Sequence, residues 1–251
     1  MTQFCDHFGG HAADYLRFRP GYPTDLLDQL ADLAPHHRLA WDCGTGSGQL
    51  ARALARSFRA VWASDASAAQ IDAAPSHPGV SYHWGPAHQS GLEAGSVALV
   101  TAAAAVHWFD IPAFYAEVRR VLSPGGVLAV FTYAPDLLEP AASGRVIHQL
   151  SEGLLAQDWP EGFDWVRGGY RELPFPFDEI ELAPMDLHLD WTLDDLLGWI
   201  STWSGIHRYR VRTGHEPMQG LRDRLLATWP RADGAVTPVV LPLYWRVGRQ
   251  T

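Results

Sequence analysis

The chain has 251 residues, 47% of them hydrophobic, and a formal net charge of −9. This length fits one or two domains, and the apolar content suffices for a sizeable core. The negative charge argues against a nucleic-acid partner or an anionic membrane surface, because both require clustered Lys and Arg. Two cysteines give no disulfide framework, no Cys/His spacing indicates a metal site, and no signal-peptide pattern is evident. The longest apolar run, residues 97–109, is too short to span a bilayer. We therefore expect a cytoplasmic protein without a metal and without a membrane partner.

A glycine-rich stretch at residues 39–51 opens the first predicted α/β unit. An apolar run leads to Asp42, and Gly44, Gly46 and Gly48 follow at every second position. A helix-like stretch comes next. This order of strand, tight loop and helix lets the backbone of an α/β fold approach a nucleotide-like ligand, because glycine has no Cβ to block the turn or the ligand.

Two acidic residues narrow the class of ligand. The loop reads G-x-G-x-G, whereas a dinucleotide-binding loop reads G-x-G-x-x-G. Asp42 precedes the first glycine by two residues, where it would repel a pyrophosphate but could pair with an ammonium group. S-adenosylmethionine (AdoMet) carries an α-ammonium group and no phosphate. Asp65 ends the next apolar run, residues 60–65, where a carboxylate can accept hydrogen bonds from both ribose hydroxyls. The alternative is an ordinary strand-to-helix turn with two unrelated aspartates.

Residues 39–65 resemble motif I and the following acidic motif of class I AdoMet-dependent methyltransferases. The resemblance implies an α/β fold: a Rossmann-like, seven-stranded, mostly parallel sheet with an antiparallel last strand, helices on both faces and lid segments. It implies a cofactor site that includes the loop glycines, Asp65, Ala66 and Gln70, with Gln70 beside the adenine. It also implies a single domain over residues 1–251, with a core sheet at about 36–133, 177–191 and 235–248 and cap elements at about 1–34, 134–176 and 192–230.

The N-terminal segment narrows the resemblance to one group. Methyltransferases similar to the trans-aconitate methyltransferase family begin with Tyr-x-x-x-Arg-Pro-x-Tyr-Pro, matched here by Tyr15, Arg19, Pro20, Tyr22 and Pro23. In such enzymes this segment covers the AdoMet pocket. The resemblance implies that Arg19 pairs with the methionine carboxylate and that Tyr15 borders the methyl group. The alternative is an N-terminal helix that only packs on the domain.

The loop after the third predicted strand departs from the family pattern. The family usually has Ala-Glu near the adenine, and this chain has Ala87 followed by His88. A neutral imidazole could still accept a hydrogen bond from the adenine amino group. The alternative is an exposed loop histidine.

The string His107-Trp108-Phe109-Asp110 follows a run of small residues after the fourth predicted strand. It resembles the end of motif IV in the trans-aconitate methyltransferase-like group. The resemblance implies that Ala103 lies near the methionine part of AdoMet and that His107 and Trp108 face the site of methyl transfer. The alternative is that the aromatic residues are core at the start of the next helix.

The second half of the chain contains no nucleotide motif. Residues 134–176 are rich in Pro, Gly and aromatics, and we interpret them as part of a substrate cap over the carboxyl edge of the sheet. Residues 179–190 look like strand six, and the last strand is expected to be interrupted near Pro238 or Pro242. Residues 207–212 would align three arginines toward an anionic substrate if extended, or scatter them if helical.

These observations predict a small-molecule methyltransferase acting as a monomer or homodimer. Methyl transfer from a sulfonium is an in-line displacement that depends mainly on positioning. The family resemblance implies a carboxylate acceptor, which needs no base. For other acceptors His107 or Tyr15 would be the base, with Trp108 beside the methyl group. Two alternatives remain open: a non-catalytic AdoMet-binding regulatory protein and an NAD-dependent oxidoreductase.

Overall fold

The computed structural model describes residues 17–134, 139–232 and 234–250. The strands are β1 Leu39–Cys43, β2 Ala60–Asp65, β3 Val80–Trp84, β4 Val97–Ala103, β5 Leu122–Tyr133, β6 Asp178–Glu179, β7 Asp186–Trp191 and β8 Thr237–Arg249. The α-helices are α1 Thr24–Leu33, α2 Gln49–Leu54, α3 Ala68–Ala73, α4 Ile111–Val121, α5 Ala141–His148, α6 Phe163–Arg167, α7 Leu193–Ser201, α8 Ser204–Thr213 and α9 Leu221–Leu226. Tyr15 lies outside the described residues.

The strands form one mixed sheet in the order β3-β2-β1-β4-β5-β8-β6, with β7 also paired to β8. Strands β1 to β5 are parallel, and β8 is antiparallel to β5. The centre of the sheet is buried on both faces, since Val97–Ala102 in β4 and Val127–Phe131 in β5 have almost no exposed surface. The predicted fold class is thus confirmed. The carboxyl ends of β1, β2 and β4 meet at one edge, which is where ligands bind in such sheets.

The expected sixth strand is divided into two short pieces, so the sheet formed by the described residues has eight strands where seven were predicted. Pro184 lies between β6 and β7, where it cannot donate a ladder hydrogen bond. The second half of β8 pairs with β5 and β6, and its first half pairs with β7. A single long strand therefore joins the two pieces.

The predicted interruption of the last strand is wrong, because β8 runs unbroken through Pro238 and Pro242. The amide of Val240 donates to Glu139 O at 3.0 Å, on the side of β8 away from β7. Backbone N–H groups alternate sides along a strand, and Pro238 and Pro242 are each two residues from Val240. The N–H that each proline lacks would therefore point away from β7, like that of Val240. The pairing with β7 loses no hydrogen bond.

Helices α7 and α8 follow β7, and Trp203, the residue before α8, packs against the ring of Trp159. Thr192 and Asp195 form a reciprocal capping box at the start of α7. The three arginines of residues 207–212 lie on helix α8, so the extended interpretation is wrong. Arg210 pairs with Glu216, and Arg212 pairs with Asp158 through two hydrogen bonds of 2.7 Å. Two of the three cations are thereby neutralised by acids of the same chain.

No helix among the described residues is both long enough and apolar enough to cross a membrane. Within the same ranges, no group of three His, Cys, Asp or Glu side chains is placed to hold a metal ion.

Candidate functional site at the carboxyl edge of the sheet

The loop between β1 and α2 has a backbone that only glycine adopts easily. Gly44, Gly46 and Gly48 have φ angles of 69°, 55° and 77°. A Cβ on Gly44 would lie 2.5 Å from the Cβ of Ala105. The amide of Gly44 donates to Ser64 O at 2.8 Å, which holds the loop against the end of β2. The loop therefore combines a left-handed backbone with a close approach to the chain that follows β4.

Asp65 connects the glycine loop to the start of α3. Its carboxylate accepts hydrogen bonds from the backbone amides of Gly46 and Ser67, both at 2.8 Å. The neighbouring Ala66 O accepts a hydrogen bond from the indole of Trp84 at 3.0 Å. Gln70, the third residue of α3, is 2% exposed, and its Oε1 has no hydrogen-bond partner among the described residues. Such a buried carbonyl oxygen is rare without a ligand or water.

Asp42 is a buried carboxylate that accepts hydrogen bonds from two hydroxyl groups of the described residues. It is 1% exposed, and it accepts hydrogen bonds from Thr45 at 2.5 Å and Thr101 at 2.8 Å. Burial raises the pKa of Asp42 to about 6, although both hydroxyls oppose that rise. No basic side chain pairs with it in the described ranges. A ligand ammonium group would supply the missing counter-charge.

A small cavity of about 40 Å³ brings several predicted cofactor residues together. It is lined by Asp42, Gly44, Gly46, Ala103 and Arg19, among others. The side-chain amide of Gln49 donates to Arg19 O at 3.2 Å, which ties the segment before α1 to the start of α2. These residues come from β1, the glycine loop, β4 and the N-terminal tract.

The predicted adenine residues lie apart from this cavity. His88 is exposed, and Ala87 is half-buried against the core. Neither they nor Ala66 and Gln70 line the cavity at the glycine loop. The structure therefore groups the residues predicted for the methionine end and leaves those predicted for the adenine end outside the cavity.

A second cavity, of about 60 Å³, shares Arg19, Ala104 and Tyr133 with the first. Its walls include His107 and Trp108. The other aromatic walls come from the second half of the chain: Trp159, Phe163, Trp199 and Trp203. The sequence predicted a substrate cap over residues 134–176, which include Trp159 and Phe163, but singled out none of these four residues for the site. The available signals were the aromatic content of that segment, the high count of 11 Trp and the Thr-Trp-Ser tract at 202–204.

His107 is the middle residue of a short 3₁₀ turn, Val106–Trp108. Its Nδ1 lies 3.1 Å from the hydroxyl of Tyr170. Burial and the positive charge of Arg19 lower the pKa of His107 to about 3, so the ring is neutral. Gly162 packs so closely that a Cβ there would lie 2.3 Å from His107 O. The cap segment thus fixes the position of His107.

The residues present fit AdoMet. The glycine loop leaves room for a ligand, buried Asp42 has no cationic partner among the described residues, and Arg19 borders the same cavity. A mostly parallel sheet with such a site at its carboxyl edge is typical of Rossmann-like nucleotide-binding proteins. The comparisons with known proteins specify that class further.

The family model "Methyltransferase domain" matches residues 41–130. A protein provisionally described as a methyltransferase from Dictyostelium discoideum is 29% identical over 97% of this chain and 94% of its own length. An uncharacterized methyltransferase-like protein from Schizosaccharomyces pombe is 32% identical over 89% of this chain and 87% of its own. A solved structure from Anaeromyxobacter dehalogenans, provisionally described as a type II methyltransferase, is 42% identical, covers 92% of this chain and 98% of that one, and has a TM-score of 0.83. The chain belongs to the class I SAM-dependent methyltransferases and is an enzyme of that family.

Proposed function

We propose that the two adjacent cavities, which share lining residues, bind AdoMet and a small methyl acceptor side by side. The observation that carries this proposal is their shared wall of Arg19, Ala104 and Tyr133. One cavity contains the glycine loop and buried Asp42, and the other is surrounded by aromatic rings. When bound, AdoMet supplies an electrophilic methyl group on a sulfonium. The work of the protein is then to align two ligands and exclude water.

The cofactor assignments follow the charges of the first cavity. Asp42 pairs with the α-ammonium group, Arg19 pairs with the methionine carboxylate, and Ala103 borders the methionine chain. Asp65 accepts hydrogen bonds from the ribose hydroxyls while it holds Gly46. The adenine-end assignments are those of the resemblance: Ala66, Gln70, Ala87 and His88.

The walls of the second cavity favour a flat acceptor that carries an anionic oxygen. Arg19 is a cation at this wall, and none of the described residues that line the cavity is acidic. Trp159 and Phe163 stack with their ring centroids 3.8 Å apart, and Trp203 packs beside them. Such rings provide a dry, apolar surface, and the guanidinium favours a carboxylate over an ammonium group. This supports O-methylation of a small carboxylate, for which no base is required.

The catalytic roles follow from that acceptor. Trp108 forms part of the wall beside the acceptor, and His107 contacts it. The low pKa of His107 makes this ring a weak base. The assignment of Tyr15 to the methyl group stays a prediction.

We further propose that residues 139–176 and 192–230 act as the cap of a single domain.

Calorimetric titration with AdoMet, S-adenosylhomocysteine and NADH tests the cofactor assignment. Asp65→Asn removes the charge that accepts from Gly46 and from the ribose, so we expect binding of both sulfur nucleotides to weaken about 10- to 100-fold. Asp190→Asn is the matched control, because Asp190 is an exposed residue of β7 away from both cavities. Binding of NADH in place of AdoMet, or equal binding by both variants, would contradict the proposal.

A further inference from the structure

Tyr170 is a buried residue that contacts His107 and has an unusual backbone. It has no exposed surface, and its φ angle is 59°, one of two positive values recorded for non-glycine residues in the described ranges. An aromatic residue in this region costs about 1–2 kcal/mol. Strain of this kind persists where the surrounding structure enforces it, and it is common at functional sites.

Several contacts enforce the conformation of Tyr170. Its amide donates to Trp165 O at 2.7 Å. The guanidinium of Arg246 donates to Leu173 O at 2.8 Å and to Tyr170 O at 3.4 Å, and it also pairs with Glu179. The turn is therefore anchored to β8, the strand next to β5. This anchoring directs the phenol hydroxyl toward His107.

The hydroxyl of Tyr170 has two neighbours with which it can form a hydrogen bond, His107 Nδ1 at 3.1 Å and the hydroxyl of Thr132. Burial raises the pKa of Tyr170 above its ordinary value, so the phenol keeps its proton and can donate it. When the phenol donates to His107 Nδ1, the neutral imidazole carries its own proton on Nε2. Nε2 has no hydrogen-bond partner among the described residues, and His107 lines the aromatic cavity.

We propose that Tyr170 is a positioning residue that fixes His107 as a hydrogen-bond donor, with its Nε2–H directed at the acceptor. His107 then binds the oxygen of the acceptor together with Arg19 and removes no proton from it. This inference rests on the proposed assignment of the aromatic cavity to the acceptor. It adds Tyr170 to the site and reverses the role of base that the sequence suggested for His107.

Nitrogen-15 NMR of histidine side chains tests the tautomer in the protein alone. His107→Gln identifies the His107 signals by their disappearance. We expect a proton on Nε2 and an Nδ1 shift displaced by an accepted hydrogen bond, and Tyr170→Phe should remove that displacement. Tyr115→Phe is the matched control, because this buried phenol donates to Pro174 O at 2.6 Å and does not contact His107. A proton on Nδ1 in the unmodified protein would overturn the proposal.

Benzoate, titrated in the presence of S-adenosylhomocysteine, tests the donor role. Glutamine retains an N–H donor and leucine does not, so we expect His107→Leu to weaken benzoate binding about five- to tenfold and His107→Gln to weaken it less. Tyr170→Phe should weaken it as much as His107→Leu, because the orientation of His107 is then lost. Equal losses in His107→Gln and His107→Leu would overturn the donor role. AdoMet affinity, measured on the same variants, separates this result from a failure of the cofactor assignment. We expect it to be unchanged in Tyr170→Phe.

Discussion

The glycine loop and the aromatic cavity lie at the same edge of the sheet but are built in different ways. The loop region gathers Asp42, Gly44, Gly46 and Asp65 within 24 consecutive positions, and the hydrogen bonds that hold its glycines to the end of β2 are donated by backbone amides. The aromatic cavity draws its walls from residue 19 to residue 204, and its contacts are between side chains. A site made of backbone leaves a short, readable pattern in the sequence. A site made of distant side chains leaves almost none.

The two regions also differ in charge. The loop region presents two carboxylates, whereas the described lining of the aromatic cavity has one cation and no acid. Arg19 lies on the boundary and borders both. Its Nη1 donates to the hydroxyl of Tyr133 at 3.4 Å and its Nη2 to Thr202 O at 3.2 Å. The same guanidinium can therefore separate a cationic ligand group from an anionic one. This division underlies the proposed side-by-side binding of the two substrates.

The largest expected effect comes from a substitution in the glycine loop that leaves the lining residues of the aromatic cavity unchanged. Gly44→Ala introduces a Cβ 2.5 Å from the Cβ of Ala105 at a φ of 69°. We expect the free energy of unfolding to fall by about 2–4 kcal/mol and AdoMet binding to be lost. Gly91→Ala is the matched control. Its φ is 75° with nothing within 4 Å of the added Cβ, so it should cost about 1 kcal/mol and retain binding. Urea unfolding and AdoMet titration measure both. Equal effects would show that the backbone conformation, and not the close approach, makes glycine necessary.

A smaller effect sharpens the contrast in charge. Only the ionised form of Asp42 can neutralise an ammonium group, and its pKa in the ligand-free protein is raised to about 6. AdoMet affinity should therefore be constant above that value and fall about tenfold per unit as the pH decreases below it. Asp42→Asn should bind weakly at every pH and abolish this dependence. Calorimetry between about pH 5 and pH 8 measures the profile. An unchanged profile in the variant would exclude Asp42 as the ammonium partner.

The sequence predicted the parts of the molecule that local physics decides. Three features depend on neighbours in the chain: the alternating glycines, the acids at the strand ends and the buried run of β4. The sequence predicted the place of each in the fold. The division of the sixth strand at Pro184 and the unbroken course of β8 were not predicted. Both depend on whether the position of a proline needs an N–H for pairing with a neighbouring strand. The neighbours of each strand are set by the whole sheet and not by the local sequence. Tyr170 could not be found either, because its role depends on a turn anchored by Arg246, 76 positions away in the chain.

The smallest expected effect tests whether arginines outside the aromatic cavity contribute to binding of an anionic acceptor. Arg210 pairs with Glu216 at the surface, and we expect Arg210→Gln to cost at most about 1 kcal/mol in urea unfolding and to leave benzoate binding unchanged. Arg212→Gln should destabilise more, because its partner Asp158 is only 3% exposed and would remain buried without its cation.

Unchanged benzoate binding in Arg210→Gln would confine the anion-binding charge to the boundary between the two cavities. If Arg210→Gln instead weakened benzoate binding while the protein kept its stability, the acceptor site would extend over α8. Arg19 would then not be the sole cation that selects the acceptor, because Arg210 would contribute to the same binding energy from outside the aromatic cavity. The anion-binding charge would no longer be confined to one guanidinium at the boundary between the two regions.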